Sequence, residues 1–122
     1  KVQQIKQLSV KQLEWRFNTA MQRGVDVFGL HAFRTSCGDE RLSFINKALL
    51  ESLANVLADL DQNSFEKLQE HREDLHEKYK NLMMDNNFIV HIGRGSTGAA
   101  GVRGRYAMIR KMIDSVLRGD KT

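Results

Sequence analysis

The chain of 122 residues has no proline at all, where average usage near 5% would supply about six. Collagen-like and other proline-dependent repeats are thereby excluded, and helices are free to run without an internal breaker. Cysteine is almost absent too. Cys37 has no partner for a disulfide within the chain, so a disulfide-stapled scaffold is excluded. A lone thiol fits a cytoplasmic or otherwise intracellular reducing compartment. Nowhere do about 18 apolar residues run together, so neither a transmembrane span nor a membrane partner is expected. No basic stretch leads into the short apolar run of a secretory signal. The first residue is Lys1 rather than methionine, which leaves a longer parent chain open. With 41% hydrophobic residues, wholesale disorder is disfavoured as well. Length and composition together point to a single helical domain over residues 1–122.

Against these absences, glycine and charge are unevenly placed. Gly93, Gly95, Gly98, Gly101 and Gly104 fall close together, and the chain has only nine glycines. Residues 1–34 carry six Lys/Arg against two Asp/Glu, residues 35–90 six against eleven, and residues 91–122 seven against two. Both ends are basic and the middle is acidic. Packed side by side, the ends would form a face suited to phosphate-bearing partners. Alternatively, they simply complement the acidic middle.

Apolar spacing gives the expected architecture: a mainly α, four- to five-helix bundle. A first helix is expected over about Val2–Arg23, with Ile5, Val10, Leu13, Phe17 and Ala20/Met21 on one stripe and Gly24 as its C-cap. Ser9 and Gln12 have capping-box spacing and offer a later start. A shorter piece follows over Asp26–Arg34, then a turn at Thr35–Gly38. Asp39 is the expected N-cap of a central helix carrying Leu42, Ile45, Leu49, Leu53, Val56/Leu57 and Leu60. After a break at Asp61–Ser64, Phe65, Leu68, Arg72, Leu75, Tyr79 and Leu82 recur in a heptad-like seam on a densely charged helix. These two helices read as a central antiparallel hairpin. Phe88–Ile92 is the one β-like run and is expected to be a short extended segment (about 88–92). It would pair near Val25–Phe28, pair with another chain, or pack extended. The Gly-rich loop (93–104) and a last helix from about Tyr106 to Arg118, capped by Gly119, complete the chain.

Few residue patterns carry specific chemistry. Gly93–Gly98 matches G-x-G-x-x-G after a strand-like run, but the helix begins late and a second strand with a ribose-binding acid is absent, so a dinucleotide site is not expected. A P-loop is excluded, because no Gly-Lys-Ser/Thr occurs. His71 and His76 lie five apart, which turns the two rings away from a shared metal. Cys37 has His31 and Arg34 nearby in sequence, yet no dyad is evident. The Met83-Met84 pair reads as adaptable core filling. No cofactor and no enzymatic activity are expected.

Two functional readings remain. In the first, the protein binds nucleic acid or phosphate through the Gly/Arg-rich loop and the basic last helix. Arg94, Ser96, Thr97, Arg103, Arg105, Arg110 and Lys111 would hold phosphates, and Tyr106 would stack on a base. In the second, it is a protein–protein interaction module or assembly subunit. It would then dock a protein partner, or self-associate, through the charged hairpin, Trp15, or the segment containing Ile89.

Overall fold

In the computed structural model, which describes residues 9–37, 40–93 and 98–119, the chain is mainly helical. Six α-helices lie among the described residues. They are α1 (Val10–Phe28), α2 (Lys47–Asp59), α3 (Gln62–Glu70), α4 (Arg72–Met83), α5 (Asn86–Ile92) and α6 (Ala99–Arg118). A single 3-10 turn, Gly29–His31, follows α1.

The first helix starts at the later of the two expected points. Ser9 Oγ accepts from the Gln12 amide at 3.1 Å, and Gln12 Oε1 accepts from the Ser9 amide at 2.8 Å, so the capping box is closed. Residues 1–8, with Ile5 among them, lie outside the described residues. Gly24 does not end the helix. It sits mid-helix, and Gly29, with φ 63°, is the C-cap. The glycine at 24 answers a different need: a Cβ there would lie 2.4 Å from Cζ of Phe33. Phe33 is itself buried in the left-handed region at φ 64°, which is costly for an aromatic residue. The notch in α1 and the Asn46 amide, which donates to the Phe33 carbonyl at 3.0 Å, hold it there.

The second helix starts late. Asn46 caps it, its side chain accepting from the Leu49 amide at 3.0 Å. Leu42 and Ile45 therefore precede α2 and are exposed, whereas the expected cap Asp39 lies outside the described residues. The irregular approach to α2 is pinned by a hydroxyl pair. Ser36 Oγ accepts from the Ser43 amide, and Ser43 Oγ accepts from the Ser36 amide. Tyr79 Oη adds a 2.6 Å bond to the Arg34 carbonyl.

The charged segment is two helices, capped by Asp61 and broken at His71, where φ −107° and ψ 34° leave the α region. Most of the expected seam survives the break: Phe65, Leu68, Leu75, Tyr79 and Leu82 are buried, whereas Arg72, just past the break, is exposed and donates to the Asp26 carbonyl. Their partner is not α2, which makes little direct contact with α3 or α4. Helix α6 packs against α2, α3, α4 and α5 and takes the central place expected of a hairpin, while α1 packs chiefly on α2.

The expected extended segment at 88–92 is helical, and among the described residues there is no strand, only an isolated bridge between Arg34 and Ile45. Branched residues cost a helix only a few tenths of a kcal/mol each. Here Asp85 caps the turn through the Asn87 amide, and Phe88 and Ile92, one turn apart, are both buried. Packing outweighs the propensity. The expected glycine loop is also shorter than its glycines suggest. Helix α6 begins at Ala99, so Gly101 and Gly104 are helical. A Cβ on Gly104 would lie 2.7 Å from Nε2 of His91, so this glycine lets α5 approach α6 closely.

Gly24→Ala tests the notch. In an open helix this change stabilises by about 1 kcal/mol. Against the buried Phe33 ring it is expected to destabilise by about 1–3 kcal/mol. Urea unfolding of G24A reads the sign, and F33L in the same background should recover part of the loss.

Candidate functional site

Three surfaces bear on function. The first is on α1. Helical spacing puts Val10, Leu13, Phe17, Ala20, Gly24, Val27 and Phe28 on one stripe. From Ala20 onward the stripe is buried in the core. Before it, Val10 is 72% exposed, Leu13 51% and Phe17 55%. The same face therefore passes from core to solvent along a single helix. This end of α1 still runs beside α2, where Arg16 reaches Asn55 and Asp59, but the stripe itself is not covered there. Beside it, Leu13, Phe17 and Ala20 face Leu50, Ala54 and Ala58 of α2 across an apolar groove of about 260 Å³. The sequence had assigned Leu13 and Phe17 to the inner stripe.

Trp15 is 69% exposed, but on the opposite side of α1, beside Lys11, Gln12 and Arg16. Ile89 is half-buried and packs against the core, so the outward branched residue of α5 is its neighbour Val90.

The second surface is where the basic ends meet. Arg16 of α1 donates to Asp59 Oδ1 of α2 at 2.8 Å and to Asn55 Oδ1 at 3.3 Å. Arg110 of α6 approaches the other oxygen of Asp59 at 3.8 Å. Arg103 and Arg110 are both exposed, seven residues apart on one face of α6, with half-buried Tyr106 between them. Burial raises the Tyr106 hydroxyl pKa, Asp59 adds to the rise, and Arg16, Arg110 and Arg105 oppose it. The phenol stays neutral and able to donate a hydrogen bond.

The structure divides the remaining phosphate candidates. Arg105 is only 6% exposed. Its Nε donates to Ser52 Oγ at 2.8 Å, Nη1 to the His91 carbonyl at 3.3 Å, and Nη2 lies 4.0 Å from Glu51 Oε1. Arg105 thus points into the bundle. Lys111 is on another flank of α6, lining a cleft with Lys78, Leu82 and Met108 at the α4 side. Arg94, Ser96 and Thr97 lie outside the described residues. Arg23, from the basic first segment, is occupied at the end of α2, where it donates to the Leu57 and Leu60 carbonyls at 2.6 and 2.7 Å and stacks over Phe65.

The third surface is a hollow of about 490 Å³ that includes Phe28, His31, Cys37, His76, Tyr79 and Lys80. It gathers several titratable side chains. Burial pushes the Cys37 thiol up, Glu40 pushes it further, and Lys80 only partly opposes them, so a thiolate is disfavoured at neutral pH. His31 Nδ1 is engaged with Ser36 Oγ at 2.7 Å, and His76 Nε2 contacts the Val27 carbonyl while its ring stacks on Phe28. Among the described residues no group of three His, Cys, Asp or Glu side chains is placed to hold a metal ion. No described helix is long and apolar enough to cross a membrane.

No family model matches the chain, and no curated protein or solved structure is detectably similar to it.

The contrast between Arg105 and its neighbours is measurable. Hydrogen bonds made by a charged donor contribute about 1.5–3 kcal/mol each when buried. R105A is expected to lower stability by roughly 2–3 kcal/mol, whereas R103A should stay within about 0.5 kcal/mol of the parent. Equal urea midpoints for the two variants would refute a structural role for Arg105.

Proposed function

We propose that the chain is a non-enzymatic interaction module that docks a protein partner through the uncovered face of α1. The observation that carries this reading is the exposure of Val10, Leu13 and Phe17 on the face that fills the core two turns later. Large contiguous apolar exposure at an otherwise closed core marks an interaction surface far more often than scattered surface leucines do. The groove alongside, floored by small alanines of α2, leaves room for another helix to lie close. The hollow around Cys37 lends no support to catalysis, since its thiol is held protonated.

A photo-crosslinking residue at position 13 tests the reading in cells. It should give one discrete adduct, lost on adding F17S, while the same probe at exposed Glu70 on α3 gives none. F17S itself should cost less than about 1 kcal/mol, as a surface change does. No adduct at position 13, or a core-sized loss of stability in F17S, would overturn the proposal.

A second reading keeps phosphate as the ligand and rests on the meeting of the two basic ends at Asp59. One carboxylate there faces two guanidiniums, and exposed Arg103 extends the positive face. Phosphates of a nucleic-acid strand would lie along Arg103, Arg110 and Arg16, with Tyr106 beside a base. Anisotropy titration of a labelled single-stranded oligonucleotide at several salt concentrations is the check. R103A/R110A should weaken binding and reduce the log–log salt slope by about 2. An unchanged slope would remove these arginines from the site.

A further inference from the structure

The uncovered face of α1 is bordered by charges that fit a copy of itself. On the α2 side the border is Arg16, already paired with Asp59. On the other side are Lys11 and Glu14, both exposed and three residues apart on one helix face. That open border has one cation and one anion, so it carries no surplus charge to select a basic or an acidic partner. Its order does select an orientation.

We propose that α1 pairs with α1 of a second copy of this chain, antiparallel about a two-fold axis, through Val10, Leu13 and Phe17. The inference rests on the reading of α1 as the docking face. Under two-fold symmetry, a residue i that touches j of the second copy is matched by j touching i. Antiparallel pairing thus sets Lys11 against Glu14 of the second copy and Glu14 against its Lys11, giving two opposite-charge contacts. Parallel pairing would instead turn the Lys11/Glu14 edge towards the Arg16 edge of the second copy, and the two reciprocal Lys11–Glu14 contacts would be lost.

The apolar seam is short. Val10 to Phe17 spans roughly 12 Å of helix. It is smaller than the ~800 Å² per partner of a standard stable interface, so the dimer belongs to the weak, reversible class with micromolar dissociation. Within that class the two edge contacts matter, because there is little apolar area to outweigh them.

Sedimentation equilibrium of the full chain over a wide concentration range tests this. The parent protein should move from one chain mass towards two. K11E and E14K should each weaken the dimer roughly tenfold, because two attractions become two repulsions. The double swap K11E/E14K should restore it, and an equimolar mixture of the single variants should form a heterodimer more readily than either forms a homodimer. A double swap no better than the single variants would overturn the antiparallel register. A strict monomer that still gives a position-13 adduct of another mass would overturn the second copy as occupant and leave the docking face standing. Neither dimer nor adduct would remove both.

Discussion

A buried guanidinium is the constraint on which the bundle is organised. A charge with 6% exposure is tolerable only when its donors are met, and Arg105 meets them on separate helices. Ser52 belongs to α2, the His91 carbonyl to α5, and Arg105 itself to α6. The Ser52 hydroxyl, accepting from Arg105, in turn donates to the Ala48 carbonyl at 2.8 Å. The three helices must therefore keep a common register for the network to close. Apolar packing alone permits neighbouring registers at modest cost, whereas a misplaced guanidinium does not. Gly104, one residue earlier, removes the side chain that would hold α5 away from this arrangement.

Charge elsewhere is used for local ties. Arg23 closes the end of α2 by taking two of its last carbonyls, and Arg16 and Arg110 bracket Asp59 from either side. The basic ends and the acidic middle are thus partly spent on each other. The outward edge of α6 and the apolar end of α1 are left facing solvent. These lie on different chemistries and need not share a ligand.

Much of the architecture was legible in the sequence, and the misses have specific causes. The seam from Phe65 to Leu82 was legible because its spacing persists through the kink at His71. The Ser9–Gln12 box was legible because capping is local. Phe88–Ile92 misled because branched residues were weighed by propensity, while the buried pair at 88 and 92 decides the outcome. The glycines at 24 and 104 looked like a helix end and part of a loop, yet each serves a distant ring, Phe33 or His91, and no local pattern encodes such a contact. Arg105 looked like its neighbours Arg103 and Arg110, because one sequence position cannot reveal which side of α6 meets Ser52. Its apolar company on the helix wheel, Ile109, Met112 and Ile113, held the clue.

The Phe33 plug has a consequence for the mechanics of α1. It locks the helix at Gly24, within the buried part of the stripe that runs from Ala20 to Phe28. The helix is tied a second time at Arg16, to Asn55 and Asp59, so the arm that extends beyond both ties is Ser9 to Trp15, about two helical turns. Bending of these first turns alters the mouth of the α1–α2 groove, whose wall includes Glu51, itself a neighbour of the Arg105 guanidinium. Through that one carboxylate the angle of the arm and the register of the buried helices are mechanically joined rather than independent.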